Sequence, residues 1–221
     1  MTSRRASRPL PRAFYARDPV VVARALLGRV LECDLGRERV AGRIVEVEAY
    51  RGESDPASHA FRGETPRTRV MFGPAGHAYV YFTYGMHHCL NIVCGRTGTA
   101  AAVLVRALEP LEGLALARER RGIRETERLM RGPGCVAKAL GLTREHSGLD
   151  LVHGPLRVTA AAPVRTGRRV VAGVRVGIRV GLDRRWRFWL EGHPCVSGPG
   201  RPRRGRRGRA TPPLTPSRAR P

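Results

Sequence analysis

The run Ile44-Val45-Glu46-Val47-Glu48-Ala49-Tyr50 alternates apolar and polar side chains, the two-residue period of a β-strand. Val45, Val47 and Ala49 fall on one face, fit for a core, and Glu46, Glu48 and Tyr50 fall on the other. Side chains two positions apart on a strand are separated by about 7 Å. Two carboxylates and a phenol thus share one face of the strand. The alternation alone also fits a solvated strand face paired with arginines. Acids are scarce, however: Asp and Glu number 18 against 41 Lys and Arg, so two acids clustered beside an aromatic need a reason.

The aromatic distribution supplies one. Of the twelve Phe, Trp and Tyr residues seven lie between positions 50 and 84, namely Tyr50, Phe61, Phe72, Tyr79, Tyr81, Phe82 and Tyr84, interleaved with Arg51, Arg62, Arg67 and Arg69. Rings for stacking and cations for phosphate are what proteins that bind unstacked bases offer. Tyr79 and Phe82 also fit ordinary strand packing. Thr83-Tyr84-Gly85-Met86 reads as a tight turn between two strands, and a tyrosine at such a tip has no core of its own to enter. A carboxylate, a set of rings, a protruding tyrosine and a basic surface together suggest base flipping, in which a wedge fills the gap left in the stack.

Charge narrows the partner. The formal net charge is +23, which disfavours an ordinary metabolic enzyme and favours a polyanion. Residues 1–12 hold four arginines and residues 201–221 eight, with no acid in either. Both read as disordered basic arms around a single domain at 13–200. No apolar run reaches the ~18 residues of a spanning helix, and none follows the N-terminal arginines as in a secretory signal, so a cytoplasmic, nucleoid-associated protein without membrane contact is expected. The chain has one asparagine, Asn91, and no glutamine. Adenine is commonly read by Asn or Gln in the major groove, so sequence-specific regulation is disfavoured. The five cysteines (33, 89, 94, 135 and 195) form no CxxC pair and read as reduced thiols. His87, His88, Cys89 and Cys94 lack structural-zinc spacing. No metal and no cofactor are expected.

The elements that must carry these residues follow from pattern and punctuation. Asp18-Pro19 opens a helix over 20–27 that Gly28 stops. Strands are expected at 29–35 and 40–50, then a long polar segment at 51–76, then strands at 77–82, 89–94 and 100–106. Helical patterns run from 111 to about 140, broken near Gly122 and Gly132-Pro133-Gly134, and strands return at 156–160, 174–180 and 186–190. Strands outnumber helices without βαβ alternation. The expected fold is therefore α+β, a single domain built on a mostly antiparallel curved sheet with flanking helices and a protruding hairpin.

RIVEVEAYRG (43–52), the Asp55 to His59 segment, TPRTRVMFGPAGHAYVYFTYGMHHCLNIVCG (65–95) and AAVLVRALEPLEG (101–113) resemble the alkyladenine (3-methyladenine) DNA glycosylase family. GPGCVAKALGL (132–142), Val176-Gly177-Ile178 and RFWLEGHPCVSG (187–198) continue the likeness. It runs in order from about Leu10 to Gly198. The resemblance implies an enzyme that flips alkylated or deaminated purines from damaged double-stranded DNA and hydrolyses the N-glycosidic bond, starting base excision repair. It implies Glu48 as the base that activates water, and Arg106 with a Val176 backbone carbonyl to hold that water. Glu46 becomes a structural carboxylate. Tyr50, His59 and Tyr81 would enclose the base, Asn91 would exclude guanine, and Tyr84 would intercalate beside Met86. Thr65, Arg67 and Arg69 fall among the DNA-contacting positions. Thr68 departs from the Asn of animal members, and Cys135 stands where a lysine near the DNA backbone is expected.

A strand-nicking glycosylase commonly uses an amine to form a Schiff base, and the only lysine is Lys138; base removal without strand cleavage is expected, by a monomer. Two other readings fit parts of the pattern: a non-catalytic nucleic-acid-binding protein in which Glu48 is structural, and a carbohydrate glycosidase using Glu46 and Glu48, which the basic charge disfavours.

Overall fold

The computed structural model describes residues 8–36, 38–159 and 167–198. Its elements in chain order are α1 (Arg12–Tyr15), α2 (Pro19–Leu26), β1 (Val30–Cys33), β2 (Val40–Tyr50), α3 (Arg69–Phe72), β3 (Ala78–Thr83), β4 (His87–Val93), β5 (Ala102–Glu112), α4 (Leu114–Arg121), α5 (Pro133–Leu140), β6 (Leu156–Thr159), β7 (Val170–Gly173) and β8 (Arg187–Leu190), with short 3-10 turns between. The order β3-β4-β5-β2-β1-β6, every pair antiparallel, forms a curled half-barrel of the expected α+β class.

β2 is the organising strand. One edge pairs with β5 over its length; the other takes β1 at Val40–Arg43 and β8 at Glu46–Glu48. That fork and the bulges near Glu46 bend the strand and curl the sheet. Strand alternation then divides the residues. Val45, Val47, Ala49, Val80, Leu90, Ile92, Val103 and Val105 enter one buried core with α2 and α5 residues such as Leu26 and Leu140. Glu46, Glu48, Tyr50, Tyr79, Tyr81, Asn91, Leu104 and Arg106 alternate with them and take the opposite face.

Helix α2 starts as its sequence directs: Asp18 accepts from the Val20 N–H (2.8 Å), Pro19 takes the first turn, and Gly28 follows at φ +81°. Three boundaries differ from expectation. Residues 8–12 are not part of a disordered arm: Pro9 bridges Thr159, Leu10 is buried, and Arg12 pairs with Asp150 at 2.6 Å, so the apolar Leu10 and a paired Arg12 outweigh the local basic composition. Residues 1–7 and the tail at 201–221 lie outside the described residues. Leu111 and Glu112 extend β5 instead of opening a helix, because their backbone still pairs with β2 near Ala41. Residues 174–180 are irregular; the strand lies earlier, at Val170–Gly173. Among the described residues, no helix is long and apolar enough to cross a membrane.

Candidate active site

Tyr79, Asn91, Leu104, Glu48 and Arg187 occupy one row across five strands by register. Over the β3–β2 part of this row lies a cavity of about 290 Å³, lined by Tyr50, His59, Tyr79, Tyr81, Asn91, Arg106 and Val176 among others. Such a volume is at the small end of ligand pockets and suits one heterocycle. Tyr84 and Val180, both exposed, also line it, so it opens at the tip of the β3–β4 hairpin.

Both acids of β2 are fully buried, so the solvated-face alternative fails. Glu46 accepts from Arg106 Nε (2.7 Å), Arg187 Nε (2.8 Å) and the Ser197 N–H (2.6 Å). Glu48 Oε1 accepts from the Val176 N–H (2.7 Å) and meets Arg106 Nη1 (3.2 Å), while Oε2 accepts from the Tyr50 hydroxyl (2.8 Å). One guanidinium thus bridges both carboxylates. Glu48 stands one layer behind the pocket wall, which at that point consists of Tyr50, Arg106 and Val176, all bonded to it. A carboxylate has about four acceptor positions, and with three filled one lone pair of Oε2 is left. Burial lowers the Arg106 pKa, but Glu48 and Glu46 more than reverse this and it is raised. Burial, then the Glu48 charge and hydrogen bond, holds the Tyr50 hydroxyl well above the ordinary 10 of a phenol.

The opposite wall is aromatic. His59 Nδ1 lies 3.1 Å from the Tyr79 hydroxyl, and its ring meets Tyr81 edge-on with centroids 4.5 Å apart. Desolvation by the surrounding walls, helped by the Arg67 charge, pushes the His59 pKa down to about 4, so the imidazole is neutral at pH 7. Burial likewise raises Tyr81, with Cys89 beside it. Asn91 Nδ2 donates to the Tyr79 carbonyl at 3.2 Å, which fixes the amide and leaves its second N–H as a donor.

The hairpin tip is built for display. Tyr84 and Gly85 both have positive φ (52° and 67°), and the Met86 N–H returns to the Thr83 carbonyl at 3.2 Å, the mirror-image turn that suits strand twist. Tyr84 is 79% exposed and Met86 69%. A left-handed non-glycine costs about 1–2 kcal/mol, which this tip sustains while burying neither side chain.

Of the positions expected to touch DNA, Thr65, Arg67 and Arg69 do not line the cavity. Thr65 closes a turn with Thr68, the hydroxyls 2.9 Å apart; Arg69 pairs with Glu64 at 3.0 Å; Arg67 stacks on the Tyr81 ring at 5.3 Å. Cys135, in place of a lysine, has a cation beside it nonetheless, since Arg121 Nη2 lies 3.1 Å from its sulfur.

A family model described as methylpurine-DNA glycosylase matches residues 13–194. A protein from Methanoculleus marisnigri is 52% identical over 193 residues, covering 85% of this chain and 98% of the relative. Proteins from Burkholderia lata (49% over 195 residues, 86% and 91%) and Carboxydothermus hydrogenoformans (46% over 189 residues, 85% and 98%) are similar to it as well. Each of the three carries the name "Putative 3-methyladenine DNA glycosylase". The chain belongs to the methylpurine-DNA glycosylase family. It is a DNA N-glycosylase, and DNA is its substrate class.

In this glycosylase the fold gathers Arg106, Tyr50, His59, Tyr81, Asn91 and Val176 around one cavity, with Tyr84 at its mouth and Glu48 bonded behind its wall. The observed Val176 contact is its amide N–H on the carboxylate. Sequence reasoning left Tyr79 between core and site; it is buried and lines the pocket, and its two-residue spacing from Tyr81 was the available signal. Arg187, Ser197, Asp55 and Arg175 were missed. Asp55 and Arg187 lie within matched motifs, whereas Arg175 is one of 40 arginines and carries no local signal. Among the described residues, no three His, Cys, Asp or Glu side chains converge to hold a metal.

Proposed function

We propose that this glycosylase flips an alkylated or deaminated purine out of duplex DNA and hydrolyses its N-glycosidic bond with water activated by Glu48. The observation that carries this reading is the buried Glu48 carboxylate, fixed by Arg106, Val176 and Tyr50 directly behind the wall that they form in an aromatic cavity opening beside exposed Tyr84. The free lone pair of Oε2 accepts the attacking water. The water oxygen bonds to C1′, its proton passes to Glu48, and the C1′–N bond breaks with its electron pair leaving on the base. The sugar gains oxocarbenium character on the way, and the carboxylate stabilises that charge.

A purine alkylated at N3 or N7 is already cationic, so the departing pair neutralises it and no acid is needed. A deaminated purine needs a proton, which His59 does not carry at neutral pH. Cationic purines are therefore the faster substrates, aided by ring faces worth ~0.5–2 kcal/mol in cation–π attraction. The second N–H of Asn91 opposes the exocyclic amine of guanine, donor against donor. Tyr84 fills the vacated stack, which otherwise costs a few kcal/mol. Lys138 is exposed on α5 and absent from the cavity lining, which supports hydrolysis without a Schiff base and leaves an abasic site on an uncut strand.

The test is incubation of the protein with methylated duplex DNA, chromatography of the released bases, and borohydride treatment of the mixture. Free methylated purines and an uncut strand are expected. No released base, or a protein–DNA adduct trapped by borohydride, would overturn the reading.

A further inference from the structure

Strand β7 ends where Gly173 pairs with Arg187, and over residues 174–180 the backbone makes no main-chain hydrogen bond among the described residues. Two polar anchors hold this segment. One is the Val176 N–H on Glu48. The other is Arg175, whose side chain is fully buried: Nη1 and Nη2 grip Asp55 at 2.5 and 2.8 Å, and Nη1 also donates to the Ala49 carbonyl at 3.0 Å. The guanidinium lies over the rings of Tyr50 (4.7 Å) and Trp186 (5.3 Å). Asp55 in turn accepts from the N–H groups of Arg51 and Ala57, which orders the loop that carries His59. The pair therefore ties together the two loops flanking the cavity, at the end of β2 that bears Glu48 and Tyr50.

Stability does not require such a pair, since an apolar replacement of similar volume is often neutral or better. What an apolar pair cannot supply is the fixed two-point geometry of a guanidinium on a carboxylate. We propose that Arg175, held by Asp55, is a positioning residue that sets the Val176 N–H on Glu48 and so fixes the angle of the catalytic carboxylate. It touches neither base nor water. The inference rests on the reading of Glu48 as the base, and its experiment separates the two.

The experiment measures single-turnover release of methylated purines at saturating protein for the wild type, Arg175→Lys and Glu48→Gln, together with duplex affinity and thermal unfolding. Lysine keeps the charge and loses the fork. Arg175→Lys is expected to slow release ~10- to 100-fold, the scale of a misplaced catalytic group, with duplex affinity unchanged. If Arg175→Lys does not fold, the paired apolar variant Asp55→Leu with Arg175→Met carries the same expectation. A folded variant with the wild-type rate overturns the inference, as does a slower release explained wholly by weaker duplex binding. If Glu48→Gln matches wild type, the reading of Glu48 falls and this inference with it; if Glu48→Gln is inactive and the Arg175 variant is normal, only the inference falls.

Discussion

Glu46 and Glu48 are two residues apart and equally buried, yet the proposed mechanism gives them different tasks, and isosteric amides separate them. Glu46 receives two arginine side chains, 7% and 3% exposed, and the Ser197 N–H, where Glu48 receives one arginine. Glu46 and Glu48 balance Arg106 and Arg187 in charge. Glu46→Gln removes the carboxylate that Arg106 and Arg187 share, leaves Arg187 without an acid within 4 Å among the described residues and sets an amide against donors, at a cost of about 3–5 kcal/mol. For a domain of this size each kcal/mol moves the unfolding midpoint about 2–4 °C, hence roughly 6–20 °C in all. Glu48→Gln removes one negative charge too but is milder: both arginines keep Glu46, the amide oxygen still accepts from Val176 and the amide N–H still reaches the Tyr50 oxygen, so about 1–2 kcal/mol is expected. Urea and thermal unfolding of the full chain, followed by circular dichroism, measure both. Equal losses, or a larger loss for Glu48→Gln, would refute this division between a structural and a catalytic acid.

The remaining predictions concern the hairpin, the imidazole and the basic tail. Tyr84→Gly removes a wedge from a left-handed position (φ 52°), so stability should rise by about 1 kcal/mol while release from duplex at subsaturating protein falls ~10- to 100-fold, in line with an uncompensated flipping cost of a few kcal/mol; a variant that is less stable and equally active contradicts both parts. His59 has a folded-state pKa of about 4, below its ordinary 6.5, so its share of stability is complete above 6.5 and drains away as pH falls toward about 4. His59→Gln should flatten the dependence of urea midpoints on pH within that window, and an unchanged slope would exclude the effect. Deleting residues 201–221, with their eight arginines, should reduce the slope of log affinity against log salt by ~0.9 for each phosphate the tail neutralises without slowing release at saturation.

Much of the site was legible because the decisive elements are local. β2 runs over Val40–Tyr50, the span its alternation predicts, and the turn at Tyr84-Gly85 follows from its own sequence. Alternation tells which residues share a face but not what covers it. The face of Glu46 looked solvated in isolation; burial comes from Arg187 and Ser197, more than 140 positions away. Arg175 sits in a run of valines and arginines that resembles a strand, and only its partner Asp55, 120 residues earlier, turns that run into a strap. The sheet edge occupied by Pro9 and Leu10 was hidden for a similar reason, since basic composition masked a short apolar contact with β6.

The proposed role of the Glu48 carboxylate as the base stands or falls on the single-turnover rate of base release from a saturated duplex by Glu48→Gln beside the wild type. Loss of a positioned general base predicts a fall of ~10²–10⁴-fold with duplex affinity retained. A rate equal to wild type, or a fall explained wholly by weaker binding, would contradict it.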